Sequence, residues 1–138
     1  MRILLAELQT AGDYLRWMIL IQRFFFFAGL AQDADVLIHE ATNSYLAGID
    51  KDTDLKEVTR DAIVHGHSTP YMAGEFAKQV RAKRLVLNHF SARYKGDCSV
   101  DSLSIMMRIE GQALKASGLK ETEVAAAWDL MVLPIPQN

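Results

Sequence analysis

Residues 84–94, RLVLNHFSARY, are the stretch around which the predicted fold is built. The continuous apolar run at 85–87 is typical of a buried strand in a parallel sheet. His89 and Arg93 follow that strand directly, at the position where open α/β sheets collect ligands and catalytic groups. A neutral imidazole can coordinate a metal ion there, and a guanidinium can hold a phosphate oxygen. Taken alone, a histidine at such a position is more often structural, so its role depends on the other stretches that contain histidine.

A second strand of the same type is predicted upstream. It begins at residue 34 and ends in the polar tip 39–42, which reads HEAT. Two helices are predicted between the two strands. Asp54 is placed to cap the first, and Thr69 followed by Pro70 begins the second, because a capping hydroxyl and a proline at the first helical position both favour a helix start. The pattern predicts an α/β fold in which helices cover a sheet.

The last third of the chain predicts one more helix and two more strands. Ser99 or Asp101 can begin the helix, and apolar runs at 124–128 and 130–133 predict strands separated by Asp129. The side chains predicted for the inner face of this helix are Val100, Leu103, Met106, Met107 and Leu114.

Residues 1–33 differ from the rest, which divides the chain into an atypical apolar segment, 1–33, and an α/β domain, 34–138. The apolar stretch 14–31 is interrupted by arginines, and its longest uncharged run, 24–31, is too short to span a bilayer. An arginine also falls inside the apolar region that a secretory signal would need. The four phenylalanines at 24–27 have no periodicity that would bury them all. We expect that the segment either packs against something outside this chain or is not native coding sequence.

The composition is that of one globular domain. The chain has 138 residues, of which 50% are hydrophobic and 23% are charged, and its net charge is −2. This charge gives no general attraction to a polyanion, so a nucleic-acid partner would need a local basic cluster. The candidates for such a cluster are Lys78, Arg81, Lys83, Arg84 and Arg93, and an ordinary solvated face explains the first four equally well. The single cysteine, Cys98, excludes an internal disulfide and suits a reducing, intracellular compartment.

Polar side chains at the two strand ends and before the second helix suit the cleavage of a phosphate ester. A carboxylate beside an imidazole orients the ring and raises its basicity, so Glu40 and His67 can form a paired proton donor. Ser68, Thr69 and the free amides of the following helix would make an anion site. His65 and His67 also have the spacing of a zinc-ligand pair, although no Asp-His follows them. The residues alone leave both interpretations open.

Together these motifs resemble ribonuclease Z, the tRNA 3′-processing endonuclease of the metallo-β-lactamase superfamily, and most closely its short form. The motifs are HEAT at 39–42, HSTP at 67–70 and LNHFSARY at 87–94, in the order that the family has them. The similarity covers about residues 31–136 and corresponds to the carboxyl-terminal part of the family. It implies that the α/β domain is the C-terminal half of a metallo-β-lactamase-type αββα sandwich.

The resemblance also implies roles for individual residues. His89 would be a ligand of one of two catalytic zinc ions, and Glu40 with His67 would protonate the leaving oxygen after cleavage. For contact with phosphate or support of the loops it implies Ser68, Thr69, Ser91 and Arg93. It implies no catalytic role for His39 or His65. The substrate would be precursor tRNA, the assembly a homodimer, and no membrane would be involved.

Two departures from the family pattern limit this prediction. The main metal motif, His-x-His-x-Asp-His, is absent from the sequence, as is the next histidine ligand. The bridging aspartate of the family lies in a Gly-Asp-Thr segment, for which 12–14 (GDY) is the candidate, so that Asp13 would be a second metal ligand. A pair of zinc ions needs several ligands for each ion. The chain is therefore expected not to cleave precursor tRNA alone.

The predicted function is zinc-dependent cleavage of the 3′ trailer of precursor tRNA, just after the discriminator nucleotide, by an enzyme of which this chain represents the carboxyl-terminal part. Two alternatives stay open. The chain could belong to another metallo-β-lactamase phosphodiesterase, against which the motifs at 39–42 and 67–70 argue. It could also be a non-catalytic remnant that pairs with another chain.

Overall fold

The architecture is built on a four-stranded sheet, seen in a computed structural model that describes residues 3–6, 28–95 and 97–134. The strands are β1 (Ile3–Ala6), β2 (Val36–Glu40), β3 (Leu85–Asn88) and β4 (Val124–Ala126). They lie in the order β1-β2-β3-β4, and every neighbouring pair is parallel. Because all four strands run in one direction, their carboxyl ends meet at one edge of the sheet.

Among the described residues, three α-helices of ten residues or more accompany the sheet, and each begins at a side chain that caps it. The helices are α1 (Leu55–Val64), α2 (Pro70–Gln79) and α3 (Val100–Ser117). Asp54, Thr69 and Ser99 precede them, and each side chain accepts a hydrogen bond from the backbone N–H three residues further on. These contacts satisfy N–H groups that have no partner inside a helix. The helix starts predicted from the sequence are therefore confirmed.

The core lies between the sheet and the pair formed by α2 and α3. These two helices pack against each other, and both contact the sheet. Their crossing is close, because a Cβ atom added at Gly74 would meet the backbone carbonyl oxygen of Ala113. The largest side chains buried completely in the core that they share with the sheet are Leu37, Leu85, Leu87, Val80 and Ile109. This layer of helices on one sheet face is the organisation that the sequence predicts.

The opposite face of the sheet is apolar but open. It forms a groove, called here the open groove, that is lined by Val36, Ile38, Val86, Ala127, Trp128, Leu130, Met131 and Leu133. Its lining comes only from the sheet and from the segment that follows β4. Trp128 and Leu130 expose 67% and 99% of their surface, although both are large apolar side chains. Apolar groups on this face therefore remain in contact with solvent in the part of the chain that the structure describes.

Three predictions about individual elements were wrong or incomplete. The strand predicted at 130–133 is not formed: after β4 the chain makes a turn, in which the N–H of Met131 donates to the carbonyl of Trp128, and no described strand lies beside it. Strand β1 was not predicted from the sequence. Three side chains assigned to the inner face of α3, Val100, Leu103 and Met107, are exposed.

The inner face of α3 is made instead by smaller residues. Ile109, Ala113 and Ala116 are buried, and the last two face Gly74 across the close helix crossing. Such an approach leaves no room for leucine or methionine side chains, which explains why hydrophobicity alone selected the wrong stripe. Met106 and Leu114 are partly buried at the edge of the core.

Most of the predicted atypical segment lies outside the described residues. Only 3–6 and 28–33 of it are described, so its separation from 34–138 stays a prediction. Among the helices that are described, none has both the length and the apolar character needed to cross a membrane.

Candidate active site

The carboxyl edge of the sheet brings Glu40, His67 and His89 together. Glu40 is the last residue of β2 and is paired in register with Asn88, the last residue of β3, so His89 follows one position later. His67 lies in the connection between α1 and α2. The parallel register of β2 and β3 therefore places His89 beside Glu40. His67 is brought to the same cluster by the backbone hydrogen bond between its neighbour Ser68 and Thr42.

Thr42 fixes the connections around this cluster through its backbone. Its N–H donates to the carbonyl of Ser68 at 2.9 Å, and its carbonyl accepts from the N–H of Ser91 at 2.8 Å. The segment after β2 is thus bonded on one side to the start of α2 and on the other side to the loop after β3. Buried backbone groups need such partners, and here the partners hold three separate loops against each other.

The side chains of the cluster form a network around one carboxylate oxygen. The Thr42 hydroxyl donates to Glu40 Oε2 at 2.6 Å, and His67 Nδ1 lies 3.2 Å from the same oxygen. His89 Nδ1 lies 2.9 Å from Thr42 Oγ1 and 3.4 Å from Glu40 Oε2. Glu40 is only 3% exposed, whereas the His89 side chain is 59% exposed. The network therefore has a buried carboxylate at its base and imidazoles at its surface.

The cluster contains residue types that fit a zinc ion. Imidazole and carboxylate are ligands that zinc prefers, and one ligand atom from each of Glu40, His67 and His89 lies within 4.8 Å of the others. Because Glu40 Oε2 is already engaged by Thr42 and His67, His89 is the member of the cluster that would hold the ion. Both imidazoles turn Nδ1 toward Glu40 and Thr42, which leaves each Nε2 for a metal ion or a substrate. Glu40 Oε1 is buried and has no hydrogen-bond partner among the residues that the structure describes. An orphaned buried oxygen of this kind marks a site where a proton donor or an ion is expected.

The backbone of His89 contributes to its orientation. Its φ angle is +56°, in the left-handed region that residues other than glycine seldom adopt. Such conformations persist only where the surrounding structure enforces them, and they are common at functional sites. The loop that bears His89 is supported by Arg93 and Tyr94.

Arg93 joins the loop after β3 to the loop after β2. Its guanidinium donates to both carboxylate oxygens of Asp50, at 2.9 and 3.2 Å, and to the Ser44 carbonyl. The Tyr94 hydroxyl accepts from the Ser44 N–H at 2.8 Å. Burial alone would raise the pKa of Asp50, but the hydrogen bonds from Arg93 and from the Leu46 N–H hold that pKa below its usual value. These contacts join the two loops, whereas contact of Arg93 with phosphate stays a prediction.

The two remaining histidines make structural contacts. His39 is buried against Phe76, with 5.5 Å between the ring centroids, and burial lowers the pKa of its imidazole. His65 is exposed, and its Nδ1 lies 2.8 Å from the Asp61 carbonyl at the end of α1. His65 is not part of the cluster, so the structure does not bring a His65–His67 ligand pair together with Glu40 and His89.

The other predicted site residues are distributed around the cluster. Ser68 is buried, and the Thr69 hydroxyl accepts from the Met72 N–H at the start of α2. The Ser91 hydroxyl accepts from the Arg93 N–H at 3.4 Å. Asp13 lies outside the described residues. Thr42, the last residue of the motif at 39–42, was not predicted to have a role in the site, although its hydroxyl lies two residues after Glu40 in the sequence.

Comparison with known proteins gives relatives of one kind. The chain is 43% identical over 115 residues to the human protein zinc phosphodiesterase ELAC protein 1, a match that covers 78% of this chain and 26% of the relative. It is 44% identical over 72 residues to ribonuclease Z from Bacillus subtilis, which covers 52% of this chain and 20% of the relative. No protein-family model matches the chain.

A solved structure supports the fold. The metallo-beta-lactamase fold protein YhfI from Bacillus subtilis superposes with a TM-score of 0.50 and 21% identity, over 91% of this chain and 36% of that one. The chain spans about a quarter of the length of the curated relatives that it matches.

Proposed function

We propose that this chain, which is related in sequence to ribonuclease Z and has a metallo-β-lactamase-type α/β fold, carries the proton-donating side of a zinc-dependent site that cleaves the 3′ trailer of precursor tRNA. The comparisons confirm the predicted resemblance and the predicted fold class. One observation carries the proposal: Glu40 and His67, from separate elements, share a contact of 3.2 Å beside His89.

Glu40 and His67 act as one unit in this proposal. The buried carboxylate accepts from His67 Nδ1 and orients the ring, and the Nε2–H of the imidazolium is the proton donor to the leaving oxygen. His67 is only partly buried, with 36% of its side chain exposed, so a substrate can reach it. Cleavage of a phosphodiester requires this protonation because the departing alkoxide is a strong base.

His89 is the zinc ligand of the proposal, with Asp13 as a second ligand. When bound, zinc supplies a Lewis acid and an activated water for attack on phosphorus. Ser68 and Thr69, at the start of α2, and Ser91 beside His89 are the proposed contacts to phosphate. The predicted precursor-tRNA substrate, homodimeric assembly and intracellular location belong to this proposal as well.

The ligand count predicts how the isolated chain behaves. His89 and Asp13 supply at most two of the ligands that a pair of zinc ions needs, so no activated water would face the proton donor. Proton donation contributes about 10²–10⁴-fold and cannot replace the missing nucleophile. We expect no cleavage of precursor tRNA by the isolated chain in added zinc or manganese, and recovery when a chain that contains His-x-His-x-Asp-His is supplied.

Variants of the reconstituted pair test the assignment. His67→Ala should lower the cleavage rate by about 10²–10⁴-fold through the loss of the proton donor. His65→Ala is the matched control, because His65 is exposed, lies outside the cluster, and has its described side-chain hydrogen bond to the end of its own helix. Equal rates for the two variants would contradict the proposed role of His67. Metal-dependent cleavage by the isolated chain would contradict the ligand count.

The choice of substrate separates the main proposal from another phosphodiesterase activity. A reconstituted enzyme that cleaves precursor tRNA at the discriminator nucleotide supports a ribonuclease Z activity. Hydrolysis of small phosphodiesters alone, without cleavage of precursor tRNA, would support the other phosphodiesterase. Both substrates are measured with the same His67→Ala variant, so that the same side chain is tested in both reactions.

The open groove favours a second candidate function, pairing with another chain without catalysis. Its side chains Trp128 and Leu130 expose more apolar surface than a solvated face requires. Leu130→Asp should then weaken association with a chain that restores activity, whereas Leu55→Asp, at an exposed position on α1, should not. Association without any cleavage would favour the non-catalytic function.

A further inference from the structure

Thr42 occupies the centre of the cluster rather than its border. Its Oγ1 lies 2.6 Å from Glu40 Oε2, 2.9 Å from His89 Nδ1 and 3.4 Å from His67 Nδ1. The residue is 8% exposed, and both its N–H and its carbonyl are held by neighbouring loops. The hydroxyl is therefore held in place, and its hydrogen bonds are decided by the groups around it.

The single hydroxyl hydrogen determines the direction of each bond. A carboxylate can only accept, so the Thr42 hydrogen is donated to Glu40 Oε2 at the short distance of 2.6 Å. Toward His89 the same oxygen can then only accept. It follows that His89 Nδ1 carries the proton of the 2.9 Å contact. The neutral ring consequently has its lone pair on Nε2.

We propose that Thr42 is a positioning residue that selects the Nδ1–H tautomer of His89 and so keeps its Nε2 lone pair available for a ligand. The inference deepens the proposed function, because a histidine can bind zinc only through a nitrogen that carries no proton. Hydrogen bonding at the other ring nitrogen is the usual way in which metal-binding histidines are oriented.

The Nδ1 atoms of His67 and His89 have different nearest hydrogen-bond acceptors. His67 Nδ1 is 3.2 Å from Glu40 Oε2 but 3.4 Å from Thr42 Oγ1, so the carboxylate orients this ring directly. For His89 the order is reversed, with 2.9 Å to Thr42 Oγ1 and 3.4 Å to Glu40 Oε2. Removing the Thr42 hydroxyl should therefore affect His89 and spare His67.

Nuclear magnetic resonance of the metal-free chain measures this directly. The ¹⁵N shifts of the imidazole nitrogens, recorded at an alkaline pH where the rings are neutral, distinguish the Nδ1–H and Nε2–H tautomers. His89→Ala identifies the signals of His89. The wild-type chain should show His89 in the Nδ1–H form, and Thr42→Ser, which keeps the hydroxyl, should show the same form.

Thr42→Val removes the hydroxyl at nearly constant shape and should move His89 toward the Nε2–H form while His67 stays unchanged. Thr59→Val is the matched control, since the Thr59 hydroxyl donates to the Leu55 carbonyl within α1, and it should leave both rings unchanged.

Two results would overturn the inference: an Nε2–H tautomer of His89 in the wild-type chain, or a His89 tautomer in Thr42→Val that is the same as in the wild type. The wild-type and Thr42→Ser spectra still test the Nδ1–H tautomer if Thr42→Val fails to fold, because an Nε2–H form in either would overturn the inference. The tautomer measurement uses neither metal nor RNA, so it is independent of the cleavage assay. If the tautomer inference fails, the cleavage proposal is still tested by its own assay. If the cleavage proposal fails, the tautomer measurement remains valid.

Discussion

The two faces of the sheet are made by alternating residues of the same strands, yet they are covered very differently. On β2, Leu37 is completely buried beneath the helices, whereas its neighbour Ile38 points into the open groove and is half-buried. On β3, Leu87 and Val86 show the same contrast. The apolar pattern of the strands is therefore that of a sheet buried on both faces. The described part of the chain covers one of these faces with helices.

The sharpest test of this contrast uses two isomeric side chains on one strand. Leu37→Ala should lower the free energy of unfolding by about 2–5 kcal/mol, because it empties a fully packed position. Ile38→Ala removes groups of similar size from a half-buried position and should cost about half as much. Urea denaturation of both variants measures the difference. Equal losses would show that the groove face is covered in solution.

A second test concerns how tightly the helix layer is packed. Gly74→Ala places a methyl group against the Ala113 carbonyl, so we expect a loss of about 1–3 kcal/mol in the free energy of unfolding. Gly111→Ala on α3 is the control, since a Cβ atom there meets nothing within 4 Å. That variant should stabilise the chain by about 0.5–1 kcal/mol through the higher helix propensity of alanine. Tolerance of Gly74→Ala would mean that the helix crossing is looser than described.

The smallest effect on stability is expected away from both sheet faces, at the turn before α3, and it depends on pH. Hydrogen bonds from Ser102 and Ser99 lower the pKa of Asp97 to about 2 from its ordinary value of 3.8. Because the folded-state pKa is the lower one, the ionised carboxylate stabilises the fold fully above about pH 4, and this contribution is lost as the pH falls toward 2.

The variant Asp97→Asn should remove this part of the pH dependence while leaving the contrast between the faces intact. Thermal unfolding at a series of pH values from 5 to 2 measures it, with Asp52→Asn in the exposed loop before α1 as the control. A variant whose melting temperature keeps the wild-type slope between pH 4 and pH 2 would show that Asp97 does not contribute to it.

Local chemistry explains which parts of the fold could be predicted. The starts of α1, α2 and α3 depend on one side chain and one backbone N–H each, so Asp54 and Thr69 were sufficient signals, and the structure selects Ser99 from the two candidates, Ser99 and Asp101. The inner face of α3 depends on the close approach of another helix, and hydrophobicity along the sequence contains no information about that distance. The strand predicted at 130–133 had suitable residues but has no described strand beside it, and pairing is a property of the whole sheet.

The pairing of Glu40 with His67 could be predicted from local chemistry. The prediction of the site was incomplete because it did not include Thr42. Glu40 and His67 follow from the chemistry of a carboxylate and an imidazole at the ends of neighbouring elements, and their contact is observed. The importance of Thr42 follows only from the relative positions of three loops. Asp13 stays a prediction, because it lies outside the described residues.

The order of the strands has a consequence for folding kinetics. Each strand pairs with the next one along the sequence, but always in parallel, so no pair can form as a local hairpin. The β2–β3 pair closes a loop that contains α1 and α2, and contacts that close long loops form slowly. Glu40, His67 and His89 meet only when that loop has closed. The cluster can therefore assemble only after β2 and β3, the slowest pair, have formed. The refolding rate measured from recovery of the His89 resonance should match the rate at which the whole sheet forms.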